Sequence, residues 1–257
     1  MADKVEFHPP SIAEFFPEAI FSIGPFEFTR INLAQVIATV VLVTILLLAT
    51  RNMKVIPGRG QQVIEFLFGF VREQIVYQVL GEKDGKRFVP LLSAMFLGIL
   101  FFNITGIIPG MNIPGTSVIG VPLMLAVVAY ITFIYAGIKR HGFGRFMKNS
   151  LVPGGVPGYL VPVIAIIELV STFVFRPVSL TLRLLLNMMV GHLVLVLLFS
   201  ATHFFLLSLN WLTVLSPATL GLGLAFTLYE IFVAALQAYV FTILTAVYIQ
   251  LAVADEH

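Results

Sequence analysis

The stretch RPVSLTLRLLLNMMVGHLVLVLLF, residues 176–199, decides the fold because it is apolar enough to enter a lipid bilayer. It nevertheless contains Arg183, Asn187 and His192. An arginine at the centre of a membrane helix costs about 2.5–3.5 kcal/mol. Nine leucines between Leu180 and Leu198 offset this cost at roughly 0.5 kcal/mol each. We therefore expect this stretch to insert as a helix, with its arginine buried in the membrane.

The composition of the whole chain is that of a multi-spanning membrane protein. The chain has 257 residues, of which 59% are hydrophobic and 11% are charged. A soluble domain has about 25% charged residues. The apolar residues form continuous runs, which predict helices rather than the alternating strands of a membrane β-barrel. We expect an all-α membrane protein in one integral membrane domain, residues 1–257, without a cofactor, a metal site or a nucleic-acid partner.

The apolar runs predict about five spanning helices, and one further segment is amphipathic. Val63–Leu80 places apolar residues at helical spacing among charged ones, which predicts an interfacial amphipathic helix. Residues 1–30 form a predicted external segment that precedes the first span. The predicted spans are residues 31–50, 88–109, 118–138, 162–209 and 217–254.

The fourth apolar run, residues 162–209, is too long for an upright span. A straight helix of that length would measure about 70 Å, whereas the hydrocarbon core is about 30 Å thick. No turn signal divides the run between Val178 and Leu186. The sequence therefore favours one long, steeply tilted helix, and a hairpin of two spans is the alternative. With the last helix, it makes a pair of long antiparallel helices.

The distribution of basic residues predicts the orientation of the chain. Seven Lys and Arg residues lie in residues 51–87 and four more in residues 139–148. The loops at residues 111–117 and 208–217 contain none. Basic loops stay on the cytoplasmic side. We therefore expect the N-terminus outside and the C-terminus in the cytoplasm, which five crossings would satisfy.

Polar residues on the last two long helices predict a functional surface. Ser179, Arg183 and Asn187 recur every four residues and form a stripe on one helix face. Glu230 and Gln237 share a face of the last helix, because seven residues make nearly two turns. The three polar residues of the stripe and the two on the last helix indicate a polar surface inside the membrane, rather than a single isolated charge.

Antiparallel packing would set His192 opposite Glu230 and Arg183 opposite Gln237. His192 lies about 180° from Arg183 on a helical wheel, so the two do not converge on one reaction centre. This favours a path that leads toward the arginine over a catalytic cluster. Asn103 is expected to make a packing hydrogen bond, and Glu168 to border a cytoplasmic opening or to lie among headgroups.

Three segments of the chain resemble subunit a of the F-type ATP synthases. PVSLTLRLLLNMMVGH, residues 177–192, is similar to the signature helix of that family. LQAYVFTILTAVYI, residues 236–249, is similar to its last helix, and NITGIIPG, residues 103–110, is a weaker match. The chain departs from the family pattern at Leu185 and Leu186, where Phe-Gly is frequent, which we interpret as a change in packing.

The resemblance implies a role for each matching residue. Arg183 would be the stator arginine that faces a ring of c subunits and their buried carboxylates, with Gln237 beside it. His192 and Glu230 would line the outer half-channel, in an order that is exchanged in some members. Asn103 matches a half-channel asparagine, whereas Gly106 stands where some members have an acid, which leaves the second span without that group.

The resemblance also implies the assembly and the place of the protein. It implies a non-catalytic, proton-conducting subunit that works with the c-subunit ring, peripheral-stalk b subunits and a soluble catalytic head, in the inner (plasma) membrane of a bacterium. A stand-alone ion-coupled transporter is the alternative, and an intramembrane enzyme using His192 and Glu230 is a third possibility. The choice between proton and sodium coupling stays open.

Overall fold

The computed structural model describes residues 11, 19–23, 26–51, 53–54, 57–108, 114–151, 159–208 and 211–254. Most of these residues are helical, and the described part of the chain also contains one antiparallel hairpin, in which β1 (Ala19–Ile23) pairs with β2 (Phe26–Thr29). The prediction of an all-α membrane protein is confirmed. Three parts of the chain lie outside the described residues: most of the predicted external segment, residues 152–158 and residues 255–257.

Nine α-helices follow the hairpin in the described part of the chain. They are α1 (Arg30–Arg51), α2 (Arg59–Phe70), α3 (Gln78–Gly85), α4 (Val89–Ile104), α5 (Gly120–His141), α6 (Phe143–Leu151), α7 (Val161–Val170), α8 (Arg176–Leu207) and α9 (Ser216–Val253). A 3₁₀ turn, Trp211–Leu215, leads into α9.

Within the described residues, four helical segments are long and apolar enough to cross a membrane by length and composition. They are Arg30–Arg51, Gly120–His141, Val161–Leu207 and Trp211–Val253. The remaining predicted span, residues 88–109, is shorter than expected, because α4 has only 16 residues, or about 24 Å. It ends at Ile104 because Gly106 and Ile107 donate to carbonyls three residues back, which turns the chain out of the α-helix.

The long apolar run is one continuous helical segment of 47 residues, Val161–Leu207, so the two-span hairpin is wrong. The segment contains a π-helical stretch, Ser171–Phe175, between α7 and α8. Pro177 lies two residues after this stretch and has no backbone N–H to donate to the preceding turn. A π turn shifts the hydrogen-bond pattern at that point, which is how the helix continues through a proline.

The predicted amphipathic segment is confirmed as a helix that begins earlier, at Arg59, and is interrupted at Gly81, where φ is 73° and ψ is 165°. It comprises α2, a π-helical stretch Val71–Tyr77 and α3. Val71 and Ile75 are fully buried, whereas Arg72 and Glu73 are exposed and form an ion pair of 2.8 Å. One face therefore packs on the protein and the other carries charge. Its position at a membrane surface stays a prediction.

The basic loop after α5 contains a helix that the sequence did not predict, α6. Gly142 separates the two helices with a positive φ of 78°, which glycine adopts without strain, and its N–H donates to the Ile138 carbonyl at 2.8 Å. Phe146 of α6 lies directly on Gly137 of α5, where a Cβ atom would collide with its ring. A glycine at 137 therefore allows α6 to fold back onto α5.

The described chain forms two compact units. The first unit combines residues 1–42, 99–118 and 185–237, and the second combines residues 43–98, 119–184 and 238–257. The core of the second unit includes Phe133 packed against Phe146, with ring centroids 5.6 Å apart, and against Ala252. The buried side chains of α8 and α9 in the first unit include Leu195, Val233 and Ala234.

Candidate functional site

The parts of α8 and α9 in the first unit pack against each other in antiparallel fashion. The contacts pair Asn187 with Gln237, Gly191 with Glu230, and Thr202 with Thr219, so positions rise along α8 as they fall along α9. The Thr202 hydroxyl donates to the Thr219 hydroxyl at 2.9 Å. The predicted antiparallel arrangement is therefore confirmed for this part of the two helices.

Glu230 lies against the turn of α8 that carries His192. Its side chain is only 3% exposed, and a Cβ atom on Gly191 would lie 2.8 Å from its Oε1 atom. The absence of a side chain at 191 thus makes room for the carboxyl. The Oε2 atom is buried without a hydrogen-bond partner among the described residues. His192, the next residue, is also buried, at 4% exposed. A contact between His192 and Glu230 themselves stays a prediction.

Gln237 joins α9 to Asn187 rather than to the position predicted for it. The Asn187 Nδ2 atom donates to Gln237 Oε1 at 3.2 Å. Asn187 lies one helical turn after Arg183, the residue that we expected opposite Gln237. The Gln237 Nε2 atom is buried without a partner among the described residues, so the amide has capacity for one more polar contact.

Asn103 connects three segments of the first unit. It is 1% exposed, it accepts a hydrogen bond of 2.5 Å from the Thr116 hydroxyl, and it donates to the Ala234 carbonyl at 3.5 Å. Asn103 thereby ties the end of α4 to the following loop and to α9. This contact agrees with the packing role expected for Asn103 and places its amide one turn from Glu230 along α9.

Gly106 has no room for the acid found at this position in some members of the family that the sequence resembles. A Cβ atom on Gly106 would collide with the ring of Pro114. The Gly115 amide donates to the Phe102 carbonyl at 3.0 Å, which holds this loop against the end of α4. The Gly115 carbonyl in turn accepts a hydrogen bond of 2.8 Å from Gln35 of α1. Gly115 is therefore hydrogen-bonded to both α4 and α1.

Arg183 belongs to the second unit and lies on the exposed face of α8. Ser179, one turn earlier, is exposed on the same face, as are the apolar side chains of Leu182 and Leu186. The predicted stripe is thus a surface of the chain at Ser179 and Arg183, and becomes part-buried at Asn187.

The second unit contains a cavity of about 310 Å³ that includes Glu168 in its wall. The Glu168 carboxylate accepts a hydrogen bond of 3.3 Å from Thr172, one turn later. Arg176 also borders the cavity, but the two side chains form no ion pair within the described residues. The titratable and polar side chains of the lining are His141, Asn149, Ser150, Glu168, Thr172 and Arg176.

Arg176 contacts an aromatic ring, and the sequence did not predict this contact. Its Cζ atom lies 5.4 Å from the ring centroid of Tyr248 on α9, a cation–π contact. Arg176 and Tyr248 also border a second, narrow cleft with Leu180 and Tyr130. The sequence gives no spacing signal for this contact, because the two residues lie on different helices.

The buried polar side chains are distributed along the helices. The amides of Asn103, Asn187 and Gln237 each contact another polar group, and these contacts follow the helices rather than meet at one point. Among the described residues, no group of three His, Asp or Glu side chains is placed to hold a metal ion. The sequence did not predict contacts for Thr116, Gly191 and Tyr248, although Gly191 directly precedes the predicted site residue His192.

Comparisons with known proteins agree with the sequence motifs. The family profile described as ATP synthase A chain matches residues 32–250. ATP synthase subunit a of Rhodococcus erythropolis PR4 is 43% identical over 255 residues, which cover 98% of this chain and 93% of that protein. ATP synthase subunit a of Pseudarthrobacter chlorophenolicus A6 is 38% identical and covers 99% and 97%. The protein of the same name from Streptomyces lividans is 36% identical and covers 99% and 91%.

Proposed function

Because the chain belongs to the ATP synthase A chain family, as a non-catalytic membrane-sector subunit of a bacterial ATP synthase, we propose that it carries protons to and from a rotating ring of c subunits. Arg183 would separate two half-channels and keep a ring carboxylate ionised. The observation that carries this proposal is the exposure of Arg183 on an apolar face of α8. A permanent charge on such a face needs a partner from another protein.

The outer half-channel would use the polar residues of the first unit. Glu230 and His192 are buried at one level of α8 and α9, and the Glu230 Oε2 atom retains hydrogen-bonding capacity. Carboxyl and imidazole groups can each take up and release a proton, so both residues are candidates for proton transfer. Asn103, Asn187 and Gln237 supply further amide groups between α4, α8 and α9.

The inner half-channel would use the cavity of the second unit. Glu168 offers a carboxylate that accepts only a hydroxyl hydrogen bond from the described residues, and the cavity is large enough for several water molecules. Along the continuous segment Val161–Leu207, Glu168 precedes Arg183 and His192 follows it. This order matches a path that is interrupted at the arginine.

The proposed cycle follows from the cost of charge in lipid. A proton from the outer half-channel neutralises a ring carboxylate, which can then turn into the lipid. After nearly a full rotation the carboxyl meets the inner half-channel and releases its proton. Arg183 attracts the returning carboxylate and so keeps it ionised, which also blocks a direct leak. A potential of 100 mV supplies about 2.3 kcal/mol per charge moved.

The proposed orientation and partners complete this assignment. The basic segments at residues 51–87 and 139–148 would face the cytoplasm, with the N-terminus outside. The subunit would contact the c ring through the face of α8 that carries Arg183, and would be held by peripheral-stalk b subunits. Rotation would drive ATP synthesis on the soluble catalytic head. A stand-alone transporter or an intramembrane enzyme is disfavoured by the family membership.

The test is Arg183→Ala in the whole ATP synthase, measured in membrane vesicles by ATP-driven proton uptake and by ATP synthesis under an imposed proton gradient. We expect both to fall to background, because no cation remains to hold the ring carboxylate ionised. The control is Arg145→Ala, which removes an exposed arginine from α6. Normal coupled pumping in Arg183→Ala would refute the assigned role.

A further inference from the structure

Two opposite charges border one cavity of the second unit without pairing. Glu168 and Arg176 both lie in its wall, yet the described residues contain no ion pair between them. They lie on the same helical segment, separated by the π-helical stretch Ser171–Phe175. Arginine has a long, flexible side chain, and in a partly buried site a carboxylate attracts it strongly. Some other contact must therefore keep the guanidinium away from the acid.

The ring of Tyr248 provides that contact. The Arg176 Cζ atom lies 5.4 Å from the ring centroid, within the range of a cation–π interaction. Tyr248 also borders the narrow cleft of about 10 Å³ on which Arg176, Pro177 and Leu180 lie. The arginine therefore stands at the boundary between this cleft and the larger cavity, and the ring occupies the cleft side.

We propose that Tyr248 is a positioning residue, which holds the Arg176 guanidinium away from Glu168 so that this carboxylate stays available for protons. The proposal rests on the proposed inner half-channel and adds the group that keeps it open. Without the ring, Arg176 can turn into the cavity and pair with Glu168. A carboxylate in an ion pair resists protonation, so proton transfer through the cavity would slow.

The other groups around the cavity do not replace Arg176 in this role. The titratable side chains of its lining are His141 from α5, Glu168 from α7 and Arg176 from α8. Asn149 and Ser150 contribute neutral polar groups from α6, and the α9 residues of the lining are apolar. Arg176 is therefore the permanently charged side chain of this lining, and its position decides whether Glu168 is paired.

The experiment compares Tyr248→Leu with Tyr248→Phe in the whole ATP synthase. We expect Tyr248→Leu to slow ATP-driven proton uptake by vesicles roughly fivefold, the effect of losing one cation–π contact. Tyr248→Phe keeps the ring and should retain most of the rate. If Tyr248→Leu fails to assemble, Tyr248→Met supplies a larger apolar side chain without a ring. A rate in Tyr248→Phe as low as in Tyr248→Leu would overturn the proposal.

The decisive arm adds Arg176→Gln to Tyr248→Leu. Removal of the cation should restore at least half of the lost rate, because Glu168 then has no charged partner. A purely structural role for Tyr248 predicts no such rescue, and absence of rescue would overturn the proposal. Glu168→Gln identifies the other failure: if it leaves proton uptake unchanged, the inner path itself does not use this cavity. In all these variants Arg183 is intact, so its role is tested separately.

Discussion

The two units place their polar side chains in different surroundings. In the first unit, Glu230, Gln237 and Asn103 are at most 4% exposed and fit between helices. In the second unit, Glu168 lies in the wall of a cavity of about 310 Å³. In the proposed proton path, the two units would therefore carry protons in different ways. Closely packed groups must transfer protons directly, whereas groups around a cavity can use water.

The first prediction breaks this comparison by removing one acid from each unit. Glu230→Gln should lower ATP-driven proton uptake about 100-fold, because a positioned proton-transferring side chain contributes that much. Glu168→Gln should lower it about tenfold, since water in the cavity can partly replace the carboxylate. Both are measured in membrane vesicles at equal amounts of assembled complex. Equal losses in the two variants would contradict the proposed difference between the units.

The second prediction exchanges the titratable residues of the first unit. His192→Glu and Glu230→His should each lower proton uptake strongly, because one variant contains two acids and the other two imidazoles. The double variant restores one of each at the same level of α8 and α9, so we expect it to recover roughly a tenth of the original rate. Proton uptake in vesicles measures this recovery. A double variant no better than the single ones would argue against a contact between the two positions.

The third prediction adds a methyl group to a glycine in each unit. Gly106→Ala forces a Cβ atom into the rigid ring of Pro114, which should destabilise the assembled subunit by about 1–3 kcal/mol. Gly137→Ala meets the Phe146 ring of α6, and this short helix can move outward, so a smaller loss is expected. Thermal unfolding of the detergent-solubilised complex measures both.

The matched control for these variants is Gly98→Ala in α4. No atom lies within 4 Å of the Cβ atom that this change adds. Alanine favours the helix over glycine by about 1 kcal/mol, so no loss of thermal stability is expected. If Gly98→Ala destabilised the complex as much as Gly106→Ala, the collision with Pro114 would not explain the effect.

The smallest expected effect concerns the hydrogen bond between Asn187 and Gln237. Hydrogen bonds between membrane helices contribute about 0.6 kcal/mol on average. A double-mutant cycle with Asn187→Leu and Gln237→Leu should therefore give a coupling energy of that order in the thermal stability of the complex. A coupling energy of zero would mean that the 3.2 Å contact does not hold the helices together.

The sequence was sufficient for the large features because they depend on length and hydrophobicity. The lack of a turn signal predicted the continuous helix from Val161 to Leu207. The spacing of the polar residues predicted its antiparallel partner. The end of α4 was misplaced, because apolar residues continue past Ile104 although the backbone turns there. Hydrophobicity alone does not show where an apolar helix stops.

The site was predicted less completely, because its contacts join distant segments. Glu230 and His192 stand out as polar residues in apolar helices, but the fit of Glu230 on Gly191 depends on how the helices pack. The hydrogen bond from Thr116 to Asn103 requires the loop before α5 to fold back. No local pattern in the sequence indicates that the ring of Tyr248 lies beside Arg176, because the two residues lie on different helices.

The π-helical stretch Ser171–Phe175 sets an angle as well as accommodating a proline. A π turn contains about one residue more than an α turn, and each helical residue advances the direction of a side chain by about 100°. Deletion of one residue here would therefore swing Glu168 around the helix axis relative to Arg183 by about a quarter of a revolution. The number of residues in this short stretch thus fixes the azimuth between the cavity acid and the exposed arginine.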